Sequence, residues 1–336
     1  MMNSSIHIAG DGAGWSIDED AMVLRQSLER LGVQQVRSRW VPCRAIYHAD
    51  RYRALRSLEL GEKLIHRHVG LAYFHGNPHS TDGFATLIRR LKKSSRFIDR
   101  VRVSTKWMEG LLEEEGFEGR VQRIPLGVDV RRFRPPSSSD RQLARERFGI
   151  PHNAFVVGSF QKDGGGWEKG NTPKWIKGPD IFVETIELLK SQIENLLVLL
   201  TGPSRGFVES RLMASGVKFV RIPYLSWEEV PLAYKALDTY LISSREEGGP
   251  KAFLESLASG IPLVSTPVGQ VVDLANQSST LMSRTFDPVE LADLVTSVAC
   301  SSSSYRQVRN GRELAEKFSL HSQDEDWRTF MAELMG

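Results

Sequence analysis

The stretch EEGGPKAFLESLASGIPLVSTPVG, from Glu246 to Gly269, sets two glutamates, Glu247 and Glu255, around the sequence Gly-Gly-Pro-Lys. It follows DTYLISS (Asp238 to Ser244), an apolar run that reads as a strand. Pro250 suits the start of a helix, and Gly248 and Gly249 before it allow a tight turn without side chains. In a parallel sheet the ligand crevice lies beyond the carboxyl ends of the strands. Unpaired N–H groups at this helix start, with the positive end of the helix dipole behind them, therefore suit an anion. Glu247 stands on the loop, and Glu255 stands about five residues into the helix, roughly 7.5 Å along its axis. Two acceptor-only carboxylates at two depths around an anion site suit a ligand with hydroxyls on both sides of a phosphate group. That describes a nucleotide sugar, with one glutamate for the ribose, one for the hexose and the diphosphate between them.

Outward from this block, short apolar runs alternate with amphipathic ones, the pattern of doubly wound α/β domains with parallel sheets. Strands are expected at Ser5–Gly10, Gly70–Gly76 and Asp99–Thr105 in the first half, with a second strand near VRSRW (Val36 to Trp40). In the second half they are expected at Ala154–Phe160, Asn195–Gly202, Val217–Pro223, Asp238–Ser244 and Ile261–Gly269. The segment RIPLGVDVRRFRPPSSSD (Arg123 to Asp140), rich in turn residues, marks a boundary near Ile124 to Val128. The expected organisation is a Rossmann-like acceptor domain over residues 1–124 and a Rossmann-like donor domain over 125–320. A final helix, 321–336, is expected to pack back on the first domain.

The length of 336 residues fits two domains. No apolar run approaches the roughly 18 to 20 residues needed to span a bilayer, and MMNSSIHIAG lacks the pattern of an export signal, so a cytoplasmic protein is expected. Cys43 and Cys300 lie far apart without metal spacing and read as two reduced thiols. The net charge is +3, but cations concentrate in the first half: Arg89–Arg102 holds seven against one anion, and Arg37–Arg67 eight against three. Such runs are either solvated faces or contacts for an anionic partner, phospholipid headgroups or a phosphorylated acceptor. Nucleic acid is disfavoured, because aromatic residues are not interleaved with the basic ones.

The E-x7-E spacing, the Gly-rich turn, ASGIPLVSTPVG and the boundary segment RIPLGVDVRRFRP together resemble the retaining glycosyltransferases of family 4, over about Arg102 to Leu274. The resemblance implies the GT-B fold, two Rossmann-like domains facing each other across a cleft. By it, Glu247 contacts the donor sugar, Gly248 and Gly249 present backbone amides beside Pro250 and Lys251, and Glu255 holds the ribose hydroxyls. A departing diphosphate needs preorganised cations. Lys177, in the Lys177-Gly178 pair of IKGPDIFVETIELL, matches the family's phosphate-binding lysine; the family's arginine after the first donor-domain strand has no match, and Lys162 is the nearest cation. Lysine lacks the planar fork of arginine and would hold the phosphate less rigidly. The intervening loop, Asp163 to Ile176, with three consecutive glycines and the tryptophans Trp167 and Trp175, reads either as a lid over a substrate or as a flexible surface loop.

In the first domain, HIAGDGAGWS (His7 to Ser16) is a weak dinucleotide fingerprint, GxGxG rather than GxGxxG. The resemblance gives its Gly12 and Gly14 an approach to acceptor and phosphate, and gives His75, in FHGNPHS, a hydrogen bond to the donor sugar; His79 is a second candidate. Asp18-Glu19-Asp20 has the form of a metal-binding D-x-D, but it lies at an expected helix start, where acids are favoured, and reads as a cap. No metal or other cofactor is expected. The expected activity is retaining transfer from a nucleoside-diphosphate sugar to a glycan or lipid-linked hydroxyl acceptor. The alternatives are a nucleotide-sugar epimerase of similar fold and a catalytically silent membrane-surface module.

Overall fold

Each apolar run bounded by turn residues forms a strand, and the strands collect into two sheets of six, parallel throughout. The computed structural model describes residues 5–14, 16–80, 82–166, 168–300 and 304–336. The chain forms two compact units, Met1–Leu126 together with Leu320–Gly336, and Gly127–Ser319. Among the described residues no helix is long and apolar enough to cross a membrane.

The first unit contains β1 (Ser5–Ala9), α1 (Ser16–Arg30), β2 (Gln34–Gln35), β3 (Ala45–His48), α2 (Arg51–Glu59), β4 (His68–Ala72), α3 (Asp82–Ser94), β5 (Arg100–Val103), α4 (Lys106–Glu114) and β6 (Arg120–Arg123). Its sheet runs β2-β1-β3-β4-β5-β6. The strand expected at VRSRW is a loop. The sheet takes the buried AIYH of β3 instead, and Asp50 just beyond it caps α2 by accepting from the N–H groups of Tyr52 and Arg53. Phe74 to Gly76, expected to end a strand, lie past the end of β4.

The second unit contains α5 (Ser138–Arg147), β7 (Phe155–Phe160), α6 (Pro179–Leu189), β8 (Leu196–Thr201), α7 (Gly206–Ala214), β9 (Phe219–Ile222), α8 (Val230–Lys235), β10 (Thr239–Ile242), α9 (Lys251–Ala258), β11 (Leu263–Ser265), α10 (Gln270–Leu274), β12 (Leu281–Met282), α11 (Pro288–Cys300) and α12 (Ser304–Lys317). Its order is β12-β11-β10-β7-β8-β9. All six residues of β8, LLVLLT, are buried, because helices cover both faces of a parallel sheet.

The last helix, α13 (Asp324–Met335), belongs to the first unit. Its buried residues Trp327, Phe330, Met331 and Leu334 recur at helical spacing and join the core of Ile6, Ile8 and Tyr47. Tyr47 meets Trp327 and Phe330 edge to face at 5.8 and 5.7 Å. Burial of this ring-lined site pushes the Tyr47 hydroxyl up to about 12. Two arginines of β5 face the same helix: Arg102 stacks 4.7 Å from the Trp327 ring and donates to the carbonyls of Ile124 and Pro125, while Arg100 pairs with Glu333. Part of the basic run Arg89–Arg102 is therefore internal. Of the remainder, Arg90 pairs with Glu59 and Lys92 with Glu115.

Phe330 is fully buried, so Phe330→Ala should leave a cavity and destabilise the first unit by about 3–5 kcal/mol. Chemical denaturation followed by tryptophan fluorescence reads this directly; a loss well under 1 kcal/mol, on the scale of a surface substitution, would mean that α13 does not anchor the unit.

Candidate functional site

In the second sheet β7 lies between β8 and β10, and the chain runs outward from it in both directions. This is a topological switch point, and the carboxyl ends of β7 and β10 are where a ligand is expected. Gln161 and Lys162 follow β7, and Ser243 to Lys251 follow β10 into α9. Pro250 is the N-cap of α9 rather than its first residue, one position earlier in role than the sequence suggested. Among the described residues the N–H groups of Gly248 and Gly249 have no protein acceptor.

The two ends are joined by a side-chain pair seventy positions apart in sequence. Lys177 Nζ lies 2.6 Å from Glu247 Oε1, with 19% and 12% of the respective side chains exposed, and Ser244 Oγ donates to the same oxygen at 3.0 Å. Lys177 closes a 3-10 turn, Trp175–Lys177, whose carbonyl at Ile176 accepts from the N–H groups of Arg245 and Glu246. Gly178 then turns the chain into α6 in the left-handed region, at φ 57°. A Cβ there would overlap the carbonyl oxygen of Ser243, so glycine is required for both reasons. That close approach carries Lys177 to Glu247.

Two further lysines surround the pair. Lys174, the N-cap of the 3-10 turn, is one turn before Lys177, and residues three apart in such a turn project the same way. Lys174 is solvent-exposed as a residue, yet desolvation of its ammonium by the surrounding protein pushes it below the usual lysine value, and the charges of Lys177 and Lys162 push it further down, against the pull of Glu247. Burial lowers Lys162 as well. Lys174 thus feels the charges of Lys177, Lys162 and Glu247 together. Glu255, in the second turn of α9, accepts from the Tyr234 hydroxyl at 2.8 Å. Tyr234 stacks on Tyr240, centroids 5.5 Å apart, and Phe160 meets both edge-on at 5.0 and 5.3 Å.

The loop after Lys162 is anchored to its neighbours. Gly164 and Gly170 lie against the backbone of Ser204, where a Cβ at either position would overlap it. Ser204 Oγ donates to the carbonyls of Gly166 and Glu168, and the N–H groups of Gly206 and Phe207 donate to those of Lys169 and Gly170. Beneath it Asp163 and Arg205, both wholly buried, pair at 2.9 Å, and Arg205 also donates to the carbonyls of Ser159 and Thr201. The glycines serve close packing, and Trp175 meets Phe207 at the edge of this assembly, at 6.0 Å. Trp167 lies outside the described residues.

In the first unit, Gly12 and Gly14 have their N–H groups on the two oxygens of Asp18, at 2.9 and 2.7 Å. Although burial pushes the Asp18 carboxyl up, these bonds hold it below the usual range. Asp18 lies in the first turn of α1, as expected of an acid at a helix start, and its carboxylate there also holds the glycine loop. Among the described residues no cluster of three histidine, cysteine or acidic side chains has the arrangement to hold a metal. His75 packs edge-on against Phe84 at 5.9 Å, and the buried Arg51 donates to its backbone carbonyl and lies 4.8 Å from the Tyr73 ring. His79 is exposed.

Sequence reasoning thus grouped Lys162, Lys177, Glu247, Gly248, Gly249, Pro250, Lys251 and Glu255, all of which the second unit places on β7, β10, α9 or their connections. It missed Lys174, Ser244, Tyr234 and Arg51. Lys174 was signalled only by its spacing of three from Lys177 in PKWIKG. The other three carry no local pattern.

Residues 170–300 match the model of the family described as "Glycosyl transferases group 1". Among similar proteins, the D-inositol 3-phosphate glycosyltransferase of Salinispora arenicola is 27% identical over 195 residues, which cover 52% of this chain and 41% of that protein. The lipopolysaccharide core biosynthesis mannosyltransferase LpsB of Rhizobium meliloti is 28% identical over 160 residues, 46% of this chain and 42% of the relative. The chain matches less than half the length of each. Among solved structures, Anabaena HepE in complex with UDP-glucose superposes with a TM-score of 0.78 at 16% identity, covering 98% of this chain and 99% of that one. Sucrose-phosphate synthase from Thermosynechococcus elongatus gives 0.77 at 15% identity, covering 98% of each chain. These likenesses show the GT-B fold.

Gly178→Ala should cost about 2 kcal/mol or more, from left-handed backbone strain and the collision with Ser243. Thermal unfolding would read the loss. An unchanged melting temperature would show that the turn carrying Lys177 is not held as described.

Proposed function

We propose, from a segment at residues 170–300 that belongs to the glycosyl transferases group 1 family and a chain of GT-B fold, that this protein moves a sugar from a nucleoside-diphosphate sugar to a hydroxyl acceptor with retention of configuration. The observation that carries the reading is the switch-point cluster: Lys177 on Glu247 at 2.6 Å, unengaged amides at Gly248 and Gly249, and Glu255 on the following helix. The complexes of Anabaena HepE with UDP and with UDP-glucose support a nucleotide-sugar donor.

In this reading the diphosphate meets Lys177, Lys174 and Lys162 together with the amides of Gly248 and Gly249 at the start of α9, beside Pro250 and Lys251. Glu255, braced by Tyr234, accepts from the ribose hydroxyls, and Glu247 turns to the hexose. Three lysines in place of one arginine trade a rigid fork for summed charge. The bond from the anomeric carbon to the diphosphate oxygen breaks as the acceptor oxygen bonds to the same face. The departing diphosphate oxygen takes the acceptor proton. Cations arranged beforehand around the leaving group, and positioning of the two substrates, supply the acceleration. His75, with its backbone fixed by Arg51, is proposed to hydrogen-bond the transferred sugar. Gly12 and Gly14, with their amides on Asp18, offer the acceptor and its phosphate a wall without side chains.

The donor chemistry needs no metal in this scheme, because lysines and amides meet the charge. The acceptor is proposed to be a glycan or a lipid-linked hydroxyl compound at the cytoplasmic face of a membrane. The likeness to a lipopolysaccharide core mannosyltransferase supports that class of acceptor.

A thermal-shift series with UDP-, GDP-, ADP- and dTDP-sugars tests the donor site, since a ligand that binds only the folded state raises its melting temperature. One nucleotide class should stabilise the wild type, and Glu255→Gln and Lys177→Ala should each weaken that response by about tenfold or more in affinity. A full set of sugars without any shift would refute the reading. In turnover assays with the donor so identified, Glu247→Gln should lower kcat by about a hundredfold, the scale of a lost transition-state contact. Activity should persist in EDTA; strict dependence on manganese or magnesium for the chemical step would overturn the lysine-based scheme.

A further inference from the structure

The two basic runs of the first unit behave differently once folded. The run Arg89–Arg102 is largely engaged, by Glu59, Glu115, Glu333 and the rings facing α13. In the run Arg37–Arg67 the acids are the engaged groups: Asp50 caps α2, Glu59 is held by Arg90, and the buried Glu62 takes His48 at 2.6 Å and Arg39 at 2.8 Å. Arg37, Arg53, Arg56 and Arg67 are exposed and, among the described residues, have no acidic partner.

Large apolar side chains stand among these cations. Leu64 is 92% exposed, Leu60 79% and Trp40 72%. They share one neighbourhood. Arg39 lies 5.2 Å from the Trp40 ring and donates both to Ser57 and to Glu62, so the loop bearing Trp40 is tied to the corner bearing Leu60 and Leu64. His66 Nε2, 3.0 Å from the Arg39 carbonyl, ties it a second time. Along α2, Arg56 stands one turn before Leu60.

We infer that this corner, the loop at 36–43 with the end of α2 and the turn that follows, is a docking surface for an anionic lipid bilayer. Leucine and tryptophan side chains that are 72–92% exposed beside these cations suit insertion into the headgroup boundary. Tryptophan favours that boundary, and unpaired arginines beside the tips match the negative charge of the leaflet. The inference rests on the proposed function only in giving the docked protein a membrane-borne acceptor; the binding itself is independent of it.

The test is cosedimentation of the full chain with vesicles of phosphatidylcholine, with and without phosphatidylglycerol. Wild type should bind the anionic vesicles and release as salt rises, because screening weakens exposed charge pairs. Leu60→Ser with Leu64→Ser, and separately Arg56→Ser with Arg67→Ser, should each weaken partitioning by roughly tenfold or more, with melting temperature and nucleotide-sugar response unchanged. Wild type left in the supernatant with anionic vesicles, or both double variants binding as well as wild type, would overturn the assignment. So would sedimentation velocity showing a dimer that the leucine variants dissolve, because the patch would then bind a second copy. Vesicle binding without any nucleotide-sugar response would keep the surface and refute the enzymatic reading, whereas the reverse result would separate them the other way.

Discussion

A single hydrogen atom in place of a side chain at Gly178 sets the geometry of the second unit's site. Because the backbone there can take φ 57° against the carbonyl of Ser243, the turn from Trp175 to Lys177 lies on the residues that follow β10. Lys177 then reaches Glu247, and Ser244 orients the same carboxylate. The position of the strands supplies the rest: with β7 flanked by β8 on one side and β10 on the other, the groups beyond their carboxyl ends converge without any long-range adjustment of the backbone. The buried pair of Asp163 and Arg205 fixes the loop between Lys162 and Lys174 from below. Such a pair is costly to desolvate, and removing either partner alone would leave a buried charge uncompensated.

The protein uses its cations in three distinct ways. Arg100 and Arg102 are structural: they lie on a strand, against rings and carbonyls, where the planar guanidinium can stack and donate at once. Around Glu247, the charges of Lys177 and Lys162 lower the proton affinity of Lys174, so an added anion there would meet cations already crowded together. The arginines of the first unit's exposed corner stand free of acids and define an outward field. Net charge alone conceals this division of labour.

The alternating sheet-and-helix pattern was readable because the central strands are continuous apolar runs, as in LLVLLT of β8. Lys177 was picked out by the resemblance, since family 4 sets its phosphate-binding lysine in a Lys-Gly pair before a helix, as Lys177-Gly178 stands before α6. What escaped reading depended on contacts made in three dimensions. The four residues of β3, AIYH, are all buried and show no alternation, so VRSRW, with its spaced apolar residues, looked more like a strand. The glycines of the 163–176 loop suggested mobility, whereas Gly164 and Gly170 are needed for contact with Ser204, a residue some forty positions later. Charge runs were visible, but their pairing was not: Arg100 meets Glu333, 233 positions later in the chain.

The place of α13 has a consequence for how the polypeptide matures on the ribosome. The first unit is begun by residue 5 and is completed only by residues 320–336, so Ile6, Ile8 and Tyr47 lack their aromatic cover while the whole second unit is being made. The second unit, continuous in sequence, can condense as soon as it emerges. Its sibling must wait with an oily stripe uncovered, and that interval is when a nascent chain of this design most needs a chaperone.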